Sequence, residues 1–132
     1  MRYIFLIALL TLVSCTGSKK EFIKAENALD AGREFIDASL KGDFKKAGFY
    51  MLADEQNTAL LKRSENDYTA RSKEEKNNYA LSEIIVESVT DSLPDVSLLH
   101  FYNSFDKEKH VVRIIHQNNE WLVDFKYTFS NQ

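Results

Sequence analysis

The stretch His110–Phe129, HVVRIIHQNNEWLVDFKYTF, constrains the fold more than any other part of the chain. Residues 111–115 and 121–129 are rich in β-branched and aromatic types, which suit a pleated, half-buried surface. Between them Gln117-Asn118-Asn119-Glu120 is polar, and Asn tolerates positive φ. A two-residue turn at Asn118-Asn119 makes a β-hairpin and fixes its register. His116 then faces Trp121, Ile114 faces Val123, Val112 faces Phe125 and His110 faces Tyr127 on one face. On the other, Ile115 meets Leu122, Arg113 meets Asp124 and Val111 meets Lys126. The first face is almost wholly apolar and is expected to turn inward. The second carries an opposite-charge pair, expected in solvent, where such a pair contributes only ~0.2–1 kcal/mol. The rings matter more, because each can bury ~150–250 Å² at ~25 cal/mol per Å².

The N-terminus reads MRYIFLIALLTLVSC. Arg2 is a short positive region, and Tyr3–Val13 is apolar but too short to span a bilayer as a stable helix. The segment ends in Leu12-Val13-Ser14-Cys15, which resembles the lipobox of bacterial lipoproteins. That resemblance implies cleavage before Cys15, acylation of Cys15, and a signal peptide over residues 1–14. Several acyl chains at ~0.8 kcal/mol per buried CH₂ would anchor the protein permanently. By the same resemblance Thr16, in place of an Asp, favours the outer over the inner membrane of a Gram-negative envelope. Cys15→Ala is expected to abolish both processing and membrane partition. Retention of both would contradict the lipobox reading.

Cys15 is the only cysteine, so no disulfide can form within the chain and stability must come from a core. The net charge is −3, and loss of Arg2 with the signal makes it one unit more negative. No basic patch argues for nucleic acid. Residues 15–20 read as a lipidated tether that reaches under ~20 Å even when extended, and residues 21–132 as one domain.

Ser18-Lys19-Lys20-Glu21 has the form of a capping box, which predicts a first helix running to about Lys41. Ala25, Leu29, Gly32, Ile36 and Leu40 form its apolar stripe, with Ala28 and Phe35 beside it. Gly42 ends that helix and Asp43 caps another over Phe44–Leu52. Residues 54–80 look irregular and solvated, with a short helix at 73–80 opened by Ser72. Strands are expected at Ser82–Thr90 and Val96–Phe105, around a turn containing Pro94. A two-residue tip at Lys107-Glu108 would set Leu99 opposite His116, Phe101 opposite Ile114, Asn103 opposite Val112 and Phe105 opposite His110.

Helices followed by antiparallel strands predict an α+β fold with helices on one sheet face. Two stretches, Phe35-Ile36-Asp37-Ala38-Ser39-Leu40-Lys41-Gly42-Asp43-Phe44-Lys45-Lys46-Ala47 and Trp121-Leu122-Val123-Asp124-Phe125-Lys126-Tyr127-Thr128-Phe129, carry a family likeness. The first resembles the helix, Gly-Asp-aromatic, Ala corner of the nuclear-transport-factor-2-like (cystatin-like) superfamily. The second resembles its closing Trp-hydrophobic-Val-Asp strand. The resemblance covers about Ala25–Phe129 and is similar to that of small lipoproteins with domains of unknown function. It implies a curved sheet of about four strands embracing the first helix as a cone. It also implies a pocket lined here by Trp121, Tyr127, His116, His110, Asn103, Phe101 and Phe125. Relatives often pair through the outer sheet face, where Val111, Ile115 and Leu122 leave an apolar patch for a second copy.

The chemistry of catalysis is sparse. His110 and His116 lie on one face but ~20 Å apart at ~3.4 Å per residue, too far to share a zinc with ~2.1 Å bonds. His100 faces the other way. No nucleophile elbow, phosphate loop or cofactor motif is present. His110 or His116 could act as a general base only with an acid partner the hairpin does not supply. The sequence therefore predicts a lipid-anchored envelope domain, first as a non-enzymatic interaction module. A small-molecule or lipid-binding cone is the alternative, and an isomerase- or hydratase-like enzyme the third. A cavity of several hundred Å³ on the aromatic face would favour the alternatives.

Overall fold

A computed structural model describes Gly17 and residues 21–130. The expected signal peptide, Cys15 and Ser18 lie outside the described residues. The architecture is α+β, with four helices followed by an open four-stranded antiparallel sheet and a closing helical turn. Among the described residues no helix is long and apolar enough to cross a membrane.

The first helix, α1, spans Ala28–Leu40, not Ser18 onward. Asn27 caps it by accepting from Asp30 N at 2.9 Å, and Asp30 turns back to accept from Glu26 N at 3.0 Å. Ahead of it the chain is irregular, and the Tyr50 hydroxyl fastens it by donating to Ile23 O at 2.6 Å. The buried stripe is also rotated from expectation. Ala28, Ala31, Gly32, Phe35, Ile36 and Ala38 face the sheet, while Leu29 is exposed. Small residues allow close approach: a Cβ on Gly32 would meet Leu99 Cδ2 at 2.8 Å.

Gly42 ends the helical turn with φ +74°, as expected of a glycine after a helix. Helix α2 spans Phe44–Phe49, with Asp43 accepting from Lys46 N at 3.0 Å. It stops before the expected Leu52 because Tyr50–Leu52 run beside the last strand. Val123 N donates to Tyr50 O at 2.8 Å, and Leu52 N to Val123 O at 2.9 Å.

Residues 54–80 are more ordered than their composition suggests. Helix α3 spans Glu55–Ala70 and opens at Asp54, which accepts from Asn57 N at 2.7 Å. Helix α4, Lys73–Leu81, opens at Ser72 as expected.

The strands are β1 (Ile84–Leu93), β2 (Val96–Asn103), β3 (His110–Gln117) and β4 (Glu120–Asp124), in the order β1-β2-β3-β4. In the β3–β4 hairpin, His116 pairs with Trp121, Ile114 with Val123 and Arg113 with Asp124, as the sequence predicts. Asn118 and Asn119 make the turn at φ +50° and +59°. The hairpin is shorter than predicted. Past Asp124 the chain leaves the sheet and forms α5, Tyr127–Ser130, so the pairs Val112–Phe125, Val111–Lys126 and His110–Tyr127 do not form.

The β2–β3 register is displaced from the prediction. Leu99 pairs with Val112 instead of His116, and Phe101 with His110 instead of Ile114. Asn103 causes this by building a wide turn. Its Oδ1 accepts from Phe105 N and Asp106 N, both at 3.1 Å, and its Nδ2 donates to Asp106 at 2.9 Å. The displacement is an even number of residues, so the facing of each side chain is unchanged. Phe105, expected on the aromatic face, instead stacks edge-on against Tyr79.

Leu99, Ile114 and Val123 are fully buried on the helix-covered face, beneath α1, which touches all four strands. Phe125 joins them through an edge contact with Phe35 at 5.0 Å between centroids. The opposite face, expected in solvent, is in fact partly closed: Asp124 is only 1% exposed there, under Asn57 and Lys126.

Candidate functional site

Between the helices and the covered sheet face lies a cavity of about 300 Å³, at the lower end of the usual range for small-molecule pockets. Helix α1 contributes Phe35, Ile36, Ser39 and Leu40, and α2 contributes Phe44. Helix α3 adds Ser64 and Tyr68, with Arg71 at its C-cap. The sheet provides Phe101, Asn103, His110 and Val112, the β2–β3 turn Asp106, and the closing segment Phe125, Thr128 and Phe129.

Most polar groups in this lining are already satisfied. Ser39 Oγ donates to Phe35 O at 2.8 Å, and Thr128 Oγ1 to Val111 O at 2.9 Å. The Tyr68 hydroxyl donates to Lys41 O at 3.3 Å, and Asn103 is committed to its turn. These side chains therefore add mainly hydrocarbon to the wall. Two nitrogen-bearing groups differ. The His110 ring leans on Phe101 at 5.6 Å, and no hydrogen bond engages its nitrogens among the described residues. The Arg71 guanidinium lies over the Tyr79 ring at 4.2 Å, with Glu75 at 3.6 Å from its Nε, beyond hydrogen-bond distance.

Asp106, Glu108 and His110 bring one ligand atom each within 4.8 Å of one another. A carboxylate pair with an imidazole could receive a divalent cation. Asp106 Oδ1, however, is already an acceptor for Asn103 Nδ2 and Glu108 N, both at 2.9 Å, so its first role is to shape the turn. Tyr79 lies beside this carboxylate; burial, and then the Asp106 charge, raise its hydroxyl pKa.

Of the residues the sequence places in a pocket, Phe101, Asn103, His110 and Phe125 line the cavity. Trp121, His116 and Tyr127 do not. Trp121 stacks on His116 at 4.4 Å near the Asp95 turn and borders a separate cleft of only about 10 Å³. Tyr127 leaves the sheet with α5 and carries Arg113 over its ring at 5.0 Å. The sequence reading missed Ser64, Tyr68 and Arg71, because α3 has a weak apolar stripe and its surroundings are highly charged. The one local signal was Asp54-Glu55-Gln56-Asn57, a capping residue with a polar partner at the third position.

A polar cluster holds α3 against the sheet. Buried Asn57 donates from Nδ2 to Leu52 O and Asp124 Oδ1, each at 3.1 Å, and accepts from Lys126 N at 2.7 Å. Asp124 also receives Arg113 and Lys126, and Lys126 bridges on to Asp54 at 2.7 Å. Burial pushes the Asp124 carboxyl up, but Lys126, Arg113 and Asn57 outweigh it and hold the pKa below the ordinary value. Asp54 is likewise held low, by the Asn57 backbone N–H and then Lys126. The Lys126 ammonium is raised, by Asp124 and then Asp54.

Comparison of the chain with protein-family models, curated proteins and solved structures finds no match.

Proposed function

We propose that the domain binds a small, mainly apolar molecule in the cavity between α1, α3 and the sheet. The observation that carries this is the cavity itself: about 300 Å³ remains open where three helices meet strands β2 and β3 and the closing segment. The space is a half-open cleft lined mainly by apolar side chains, the form that small-molecule sites commonly take. Its polar side chains are mostly turned to the backbone, which suits an apolar ligand and leaves few groups to orient it. This reading takes precedence over a general interaction module because the cavity gives it a specific site.

The N-terminal segment supports a further part of the proposal. We read the protein as anchored by lipid on Cys15 in the envelope, outer membrane before inner, with the binding domain close to the bilayer. A long helix laid across a four-stranded antiparallel sheet is also what the nuclear-transport-factor-2-like resemblance implies, and membership of that superfamily belongs to the same proposal.

The test uses an environment-sensitive apolar fluorophore and the full chain in lipid nanodiscs, with empty nanodiscs subtracted. Saturable binding is expected for the natural sequence. Ser64→Phe places a ring into the cavity from α3 and should weaken binding tenfold or more while the thermal midpoint holds or rises. Binding that Ser64→Phe leaves untouched would remove the cavity as the site.

A further inference from the structure

We propose that the cavity's ligand bears a single carboxylate on about ten carbon atoms, and that Arg71 receives it. This deepens the reading of the cavity as a binding site and rests on it. Size follows from volume. About 300 Å³ holds roughly ten non-hydrogen atoms at ~30 Å³ each, which the chain carbons fill while the two carboxylate oxygens lie at the partly exposed Arg71.

The head group follows from the lining. Arg71 is the only Lys or Arg among the described residues that line the cavity. Its side chain is one-third exposed, and its guanidinium carbon lies over the Tyr79 ring at 4.2 Å. Glu75 pairs with it loosely, at 3.6 Å from Nε, and no hydrogen bond from the guanidinium is formed among the described residues. A planar fork with open donors matches a carboxylate, which can accept two parallel N–H bonds. One guanidinium balances one charge. A phosphate dianion would call for a second cation, and the neighbouring Lys76 lies outside the lining and donates to Thr69 O at 3.2 Å. Asp106 also brings a charge to the lining, but its Oδ1 accepts within the β2–β3 turn and it forms no ion pair with Arg71 among the described residues.

Equilibrium binding of decanoate, decanol and decylamine at pH 8 tests this, on the full chain in nanodiscs with empty nanodiscs subtracted. Decanoate is expected to bind roughly ten- to a hundredfold tighter than decanol, the usual worth of a hydrogen bond to a charged partner. In Arg71→Gln the decanoate-to-decanol ratio should fall to about one. Arg71→Lys keeps the charge without the fork and should retain only part of the ratio. Lys76→Gln, which removes a cation near the site but not in it, should leave the ratio intact. The inference is overturned if decanol or decylamine binds as tightly as decanoate, or if the preference survives Arg71→Gln. If all three fail to bind, the underlying cavity reading falls, and the head-group inference with it.

Discussion

Asp124 is the one charged side chain that is buried among the described residues, and every hydrogen bond it accepts favours its ionised form. Its partners Arg113 and Lys126 remain partly exposed, so the cost of removing its charge is moderated by water reaching the cations. Asp124→Asn should destabilise the fold by about 2 kcal/mol, measured by chemical denaturation. An effect below ~0.5 kcal/mol would place the pair with ordinary surface bridges. The pH dependence follows in sign. Asp124 and Asp54 have folded pKa values below their unfolded ones. Their contribution is complete above the unfolded value near ~3.9 and is lost as pH falls through the folded values. Lys126 is raised, so its contribution is complete below ~10.4 and is lost as pH rises through its folded value. The denaturation midpoint should fall at both extremes, and Asp124→Asn should flatten the acid limb. An unchanged acid limb would contradict the role given to Asp124.

Helix α3 shows what elements need beyond their own propensity. Asn57 is its only buried residue, so the polar cluster at its N-terminus does the anchoring that an apolar stripe does elsewhere. Asn57→Leu would leave Lys126 N and Leu52 O without their partner, at a cost of about 2–3 kcal/mol. Amide exchange should then speed up over residues 55–70 more than in β2 and β3. Uniform acceleration across the chain would show that α3 does not depend on this anchor. The same element explains what could be read from sequence. Periodicity and capping were enough for the β3–β4 register, the Gly42-Asp43 corner and α4, because each is decided by residues close in sequence. The β2–β3 register was not legible, since Asn103 sets it through a side-chain turn that no alternation pattern records. Nor was α3, whose reason to fold lies at Asp124 and Lys126, far along the chain. Of the residues named for a pocket, Phe101, Asn103, His110 and Phe125 line the cavity, while its α3 wall went unseen.

At the scale of the molecule, α1 seals the sheet from one side with small residues, and α3 stands off far enough to leave a space beside it. The closing segment completes the wall by abandoning the sheet after Asp124, which carries Phe125, Thr128 and Phe129 inward and Tyr127 away. The cavity is thus a product of two departures from regular structure, a truncated hairpin and a helix held by polar contacts. The most direct measurement is methyl NMR of the full chain in nanodiscs with decanol, a neutral chain that makes no demand on Arg71. The account predicts intermolecular NOEs from the decyl chain to the methyl groups of Ile36, Leu40 and Val112. NOEs confined to Val111, Ile115 and Leu122 on the opposite sheet face, or none from protein to ligand, would contradict it.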